Sequence, residues 1–74
     1  MEVRLPKLGQ AMTEGRVLSF GVEPGAWVDA GATLYVVETD KVEAEVPAPV
    51  SGTVRYVVAV GEEHPVGTLI AVIE

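Results

Sequence analysis

The sequence predicts an all-β domain in which two similar halves pack face to face as a sandwich or flattened barrel. Two observations lead there. The apolar stretches are short and β-branched, as at Val36-Val37 and Val57-Val58, and eight glycines and five prolines interrupt them before any reaches helical length. The chain also resembles itself. Glu2-Val3-Arg4-Leu5-Pro6 parallels Glu43-Ala44-Glu45-Val46-Pro47, and Gly15-Arg16-Val17 parallels Gly52-Thr53-Val54. The spacing of Gly25 and Gly31 recurs at Gly61 and Gly67, and Thr33-Leu34 recurs as Thr68-Leu69. Each half supplies about four strands, too few to bury an apolar face alone, so the halves must cover one another.

Composition narrows the possibilities further. The chain has 74 residues, 49% of them hydrophobic, which is enough for one small core. With no cysteine, disulfides and thiolate metal sites are excluded, and the single histidine, His64, cannot form a metal cluster. Stability is left to strand packing, with Phe20 and Trp27 expected in the core. Eleven acids against five bases give a net charge of −6, which opposes binding to nucleic-acid phosphates. No apolar run approaches the roughly 18 residues of a membrane span, and no signal-peptide pattern opens the chain. The expectation is one soluble, intracellular, monomeric domain over 1–74, with neither a nucleic-acid nor a membrane partner.

The repeat has two consequences. If a pseudo-twofold axis relates the halves, the turn at Thr39–Val42 and the C-terminus at Glu74 are equivalent points at opposite poles. One pole can be tethered while the other is presented. The halves also differ in length. Nine positions separate Pro6 from Gly15 but only five separate Pro47 from Gly52, so the first half carries extra residues in Leu8-Gly9-Gln10-Ala11-Met12-Thr13-Glu14. An insertion into a symmetric scaffold belongs in a surface loop.

Tyr35 to Val46 reads as a hairpin with Asp40-Lys41 at its tip. In that register Thr39 faces Val42, Glu38 faces Glu43, Val37 faces Ala44, Val36 faces Glu45 and Tyr35 faces Val46. Tyr35, Val37, Val42, Ala44 and Val46 then share one face, while Val36, Glu38, Glu43 and Glu45 share the other. A slip of one residue would turn one strand's apolar set into water. Asp-Lys lacks the glycine that mirror-image hairpin turns favour and fits a type I turn. Glu38 against Glu43 is a like-charge pair, unfavourable in a hairpin selected for stability alone. Lys41 is the only base between Arg16 and Arg55. From the residues alone this is a protruding amine among acids, which a solvated turn lysine would also explain.

Four motifs carry a resemblance: Leu5-Pro6-Lys7-Leu8-Gly9, Met12-Thr13-Glu14-Gly15, Glu38-Thr39-Asp40-Lys41 and Pro47-Ala48-Pro49-Val50-Ser51-Gly52. In order and spacing across nearly the whole chain they resemble the lipoyl domains of the dihydrolipoyl acyltransferase component of 2-oxo acid dehydrogenase complexes. The resemblance implies two four-stranded antiparallel sheets related by a pseudo-twofold axis. It implies that Lys41 carries lipoic acid as N6-lipoyllysine, and that the domain is a non-catalytic carrier. The implied partners are a thiamine-dependent 2-oxo acid dehydrogenase, the acyltransferase catalytic core, dihydrolipoyl dehydrogenase, and the lipoate ligase or lipoyl/octanoyl transferase that modifies the lysine. Gly9, Gln10, Ala11, Met12, Thr13 and Glu14 correspond to the family loop that the cognate dehydrogenase recognises. Glu38, Asp40 and Val42 flank the lysine where the modifying enzyme would read it.

Such a carrier resides in the bacterial cytoplasm or the mitochondrial matrix, either as the N-terminal domain of a larger acyltransferase or free-standing. Biotinyl domains share the fold but set their lysine in Ala-Met-Lys-Met, unlike Asp40-Lys41-Val42 here. The glycine-cleavage carrier is a longer chain, and unmodified adaptors of this shape lack the Asp-Lys hairpin. Ser19, Ser51 and His64 are the only candidates for nucleophilic chemistry, and the reading places Ser19 in a strand and His64 in a loop.

Overall fold

The computed structural model describes residues 1–7, 12–40 and 42–74. The expectations for Gly9, Gln10, Ala11 and Lys41 lie outside the described residues. Those residues form eight strands and no helix: β1 (Glu2–Arg4), β2 (Glu14–Phe20), β3 (Trp27–Val28), β4 (Thr33–Glu38), β5 (Glu43–Pro47), β6 (Gly52–Tyr56), β7 (Glu63–Pro65) and β8 (Leu69–Ile73). Period-two alternation sets each strand in place. In β2, Gly15 and Val17 face inward between the exposed Glu14 and Arg16; in β6, Gly52 and Val54 face inward between the exposed Thr53 and Arg55.

One sheet has the order β1-β8-β6-β3 and the other β5-β4-β2-β7. Advancing every strand by four, with wrap-around, converts the first order into the second, so the predicted pseudo-twofold is real. Each sheet takes two strands from each half, and neither half owns a sheet. The main-chain hydrogen bonds repeat in the same way. Gly25 N–H donates to Val54 O (2.7 Å) and Val54 N–H to Ala26 O (3.0 Å); their counterparts run from Gly61 to Val17 O (2.7 Å) and from Val17 to Glu62 O (3.1 Å). The four spaced glycines, Gly25, Gly31, Gly61 and Gly67, all have φ between 85° and 93°, a region where a Cβ is strained.

The axis itself can be located. Phe20 and Tyr56 occupy equivalent places, each preceding a residue that donates across to its neighbouring strand (Gly21 to Leu34 O, Val57 to Ile70 O). Their rings stack with centroids 3.7 Å apart and planes 8° from parallel. A residue touching its own symmetry mate lies on the twofold. Around this stack the buried core pairs Val17 with Val54, Leu34 with Ile70 and Val37 with Ile73, so Leu34 answers Ile70 and not the Leu69 that the Thr-Leu repeat implies. Every fully buried side chain among the described residues belongs to a hydrophobic residue. Tyr35 is matched by Ala71, a large residue in one half answered by a small one in the other. Leu34 and Tyr35 are both wholly buried because the β4–β5 register shifts between Thr33 and Tyr35, where a bulge turns consecutive side chains inward.

Several sequence expectations need correction. The first repeat is offset by two residues: Leu5 exchanges hydrogen bonds with Gly67 and Thr68 as Ala48 does with Gly31 and Ala32, so Leu5 matches Ala48 and not Val46. An even offset leaves every side chain on its expected face, which is why the sequence alone did not reveal it. Ten positions then separate Leu5 from Gly15 against four between Ala48 and Gly52, so the insertion is longer than the proline spacing implies. Trp27 is 62% exposed, because in the two-residue β3 it is Val28 that faces inward; the indole N–H donates to Asp29 Oδ1 at 3.0 Å. His64 is a strand residue, since Pro65 lies on the edge strand β7, where a missing N–H is tolerated. The Val57-Val58 run falls after β6 ends at Tyr56, and Val57 is exposed.

The two tyrosines make opposite predictions. Among the described residues the Tyr35 hydroxyl is buried without a hydrogen-bond partner, whereas Tyr56 O–H lies 2.7 Å from Leu34 O and 3.1 Å from Val22 O. Tyr35→Phe should stabilise the domain by about 1 kcal/mol and Tyr56→Phe should destabilise it by a similar amount, read from urea midpoints. Burial pushes the Tyr35 phenol up to about 12 from its ordinary 10.0. The folded state thus favours the protonated phenol: its contribution is intact below pH 10.0 and is lost as pH rises toward about 12. In Tyr35→Phe, stability should fall less steeply over that interval, by up to about 1.4 kcal/mol per pH unit.

Candidate functional site

The hairpin forms in the predicted register. Glu38 pairs with Glu43, Val37 with Ala44, Val36 with Glu45 and Tyr35 with Val46. Thr39 closes the tip: its N–H donates to Val42 O at 2.8 Å, and its Oγ1 lies 3.3 Å from the Val42 N–H that donates to it. Asp40 does not have positive φ, since among the described residues only glycines do. Both mirror-image hairpin turns need positive φ at this first central position, so they are excluded.

Burial falls steadily along the inward face of β5. Val46 is 8% exposed, Ala44 is half-buried and Val42 is 52% exposed. The apolar face therefore runs out beyond the core, and Asp40 and Val42, on either side of Lys41, are exposed. Glu38, Thr39, Asp40, Val42 and Glu43 line a shallow, open depression there. Glu38 and Glu43 remain opposed, and Glu43 and Glu45 are exposed.

The other end of the molecule holds the termini. The Met1 ammonium donates to Ile73 O, and Glu74 exchanges hydrogen bonds with Thr53. Gly52 pairs with Val28, Ala30 N–H donates to Ser51 Oγ at 2.8 Å, and Gly31 and Ala32 bond to Ala48 beside the start of β4. The 39–42 turn lies where β4 ends. The two poles are symmetry equivalents at opposite ends of a body 32 Å long.

Of the predicted loop residues, Glu14 opens β2 opposite Pro65, and the Thr13 carbonyl accepts from Val66 N–H at 3.0 Å. Met12 is half-buried against the core, inside the surface that the sequence reading gave it. Arg16 pairs with both Glu38 and Glu63, so the start of β2 lies between the lysine-bearing hairpin and the edge strand β7. Sequence reasoning did not place β7 at this end. His64, opposite Gly15, takes the position that Val28 holds in the other half, with Nε2 shielded and 3.3 Å from Glu62 Oε1. Only the repeat spacing, carried through to β3 and β7, could have signalled this. Ser19, Ser51 and His64 are not brought together: Ser19 lies opposite Val36, Ser51 at the terminal pole and His64 beside Gly15.

Comparison with known proteins agrees with this geometry. Residues 1–73 match the Biotin_lipoyl family, described as Biotin-requiring enzyme. The chain is 40% identical over 74 residues to the dihydrolipoyllysine-residue acetyltransferase component of the pyruvate dehydrogenase complex of Mycoplasma capricolum, covering 99% of this chain and 17% of that protein. It is 44% identical over 70 residues to the corresponding component of the acetoin cleaving system of Pseudomonas putida, covering 93% and 19% respectively. Identity to the lipoamide acyltransferase component of the branched-chain alpha-keto acid dehydrogenase complex of Bacillus subtilis is 38% over 74 residues, or 99% of this chain and 18% of that one. The chain thus spans less than a fifth of the length of these relatives. With two interleaved four-stranded sheets, an Asp-Lys hairpin in register and these relatives, the chain belongs to the Biotin_lipoyl family and is a lipoyl domain of the acyltransferase type.

Proposed function

We propose that this domain is a covalent acyl carrier in a 2-oxo acid dehydrogenase complex, modified by lipoate at Lys41. The observation that supports the reading is the hairpin: its register, the Thr39 closure and the burial gradient from Val46 to Val42 carry the residues on either side of Lys41 out of the core. Amide formation there joins the Lys41 Nζ to the lipoate carboxyl with loss of water and removes one positive charge. Bound in this way, lipoate supplies a dithiolane that takes up an acyl group and two electrons.

The domain's own contribution is mechanical and electrostatic. The β4–β5 pair supports both flanks of the turn, through its pairing up to Glu38 and Glu43 and the Thr39–Val42 hydrogen bond. Asp40, Glu38 and Glu43 give the tip a negative field that favours approach by a basic active-site rim. Tethering then gives the arm a high effective concentration at each active site it reaches. The relatives named above support a thiamine-dependent dehydrogenase as acyl donor, the acyltransferase core as the site where the acyl group passes to coenzyme A, and dihydrolipoyl dehydrogenase as the enzyme that reoxidises the arm. A lipoate ligase or lipoyl/octanoyl transferase installs it. The segment Gly9 to Glu14 contains the residues by which the dehydrogenase distinguishes this domain, its end Glu14 opening β2 two residues before Arg16, the partner of Glu38, while Glu38, Asp40 and Val42 are read by the modifying enzyme.

Intact mass after expression with lipoate available should show one lipoyl increment, lost in Lys41→Arg; a biotinyl increment would replace this reading with a carboxylase carrier. For recognition, Gln10→Ala combined with Thr13→Ala should lower kcat/KM for reductive acylation about tenfold while the rate of lipoylation holds, the scale expected for one or two lost contacts. Equal loss of both activities would indicate misfolding and remove the loop from the recognition surface.

A further inference from the structure

Gly15 and Gly52 are equivalent in the two halves, and both face inward where a neighbouring strand approaches too closely for a side chain. A Cβ on Gly52 would lie 2.5 Å from Glu74 O and 2.6 Å from Ile73 Cγ2. A Cβ on Gly15 would lie 2.7 Å from Val37 Cγ2 and 3.6 Å from Glu38 O, the matching atoms of β4. One contact has no counterpart: the Met12 Cε methyl would be 3.0 Å from that Cβ. Met12 comes from the inserted segment of the first half, for which the second half has no equivalent. Its side chain is half-buried on the core at the point where β2 meets the last residues of β4 before the lysine turn.

From this asymmetry we infer that Met12 and Gly15 are positioning residues. The missing side chain at Gly15 leaves a slot that Val37 Cγ2 and the Met12 methyl share, and the packing of Met12 there fixes one end of the recognition segment against the Val37-Glu38 end of the lysine hairpin. Thr13 strengthens the anchor from the other side, its carbonyl accepting from Val66 N–H at 3.0 Å. Met12 thus acts from within. It sets where the recognition surface stands relative to the modified lysine and makes no contact with the dehydrogenase. The hairpin has its own closure between Thr39 and Val42 and its own pairing along β5. The inference rests on the carrier reading above, and it divides the two enzymes that act on Lys41. Lipoylation reads the hairpin alone, whereas reductive acylation needs hairpin and loop in fixed relation.

The symmetry of the fold supplies the control. Gly15→Ala forces the slot open at the lysine pole, and Gly52→Ala imposes a comparable clash at the terminal pole, remote from both enzymes. Full-length lipoylated domain carrying Gly15→Ala, Met12→Ala, Met12→Leu or Gly52→Ala would be assayed with the cognate dehydrogenase, at temperatures matched to each variant's unfolding midpoint. The expected result is a rise in KM for the domain of about fivefold or more in Gly15→Ala and Met12→Ala, with kcat and the lipoylation rate unchanged. Met12→Leu, which refills the slot, should restore KM, and Gly52→Ala should lower the midpoint without moving KM. Amide shifts of Glu38, Thr39 and Val42 should move in Met12→Ala and not in Gly52→Ala. Two results would overturn the inference: KM rising equally in Gly52→Ala, which makes the slot merely structural, or rising in Met12→Ala but not in Gly15→Ala, which makes Met12 a direct contact. Failure of the wild-type domain to be lipoylated or acylated would instead sink the carrier reading itself.

Discussion

Each sheet of this domain draws two strands from each half of the chain, and the rest of the structure depends on that interlocking. A half taken alone would leave four strands divided between two sheets, with unpaired edges and no closed core. The halves therefore fold as one unit around the Phe20–Tyr56 stack. With no cysteine, and with every fully buried side chain among the described residues belonging to a hydrophobic residue, stability rests on this reciprocal covering of valine-rich faces. Long-range strand pairing is the dominant contact in such a topology, so cooperativity is built into the connectivity.

Interlocking also explains how so small a body can have two structurally different ends. A pseudo-twofold makes the β4–β5 turn and the paired β8 and β1 ends equivalent in fold, yet one is a continuous turn and the other is where the chain begins and ends here. The asymmetries between the halves cluster at the first of these poles. There the insertion enters, Met12 packs against Gly15, and His64 stands where the other half has Val28. At the opposite pole Trp27 is exposed on β3, at the place that Glu63 holds on β7. Symmetry provides the scaffold, and departures from it provide the specialised end.

The hairpin was readable because two independent constraints agree on its register. Val37, Ala44 and Val46 must face the core, while Glu38, Glu43 and Glu45 must reach solvent, and only one tip position satisfies both. The glycine spacing was readable for a similar reason, since positive φ leaves a chemical mark in the sequence. Trp27 was misplaced because residue type suggests burial whereas a two-residue strand offers one inward position, which Val28 takes. The repeat offset at Leu5 escaped notice because a two-residue shift preserves every inside–outside assignment.

Sequence by itself determined the all-β class, the duplication, the turn at Asp40-Lys41 and the family, because alternation, glycine placement and motif order are local properties of the chain. Tertiary structure alone decided how the halves interleave, which aromatics meet on the axis, and that Met12 turns into the slot at Gly15. Those are contacts between residues distant in sequence or packed through space, and they exist only once both sheets have closed over one core.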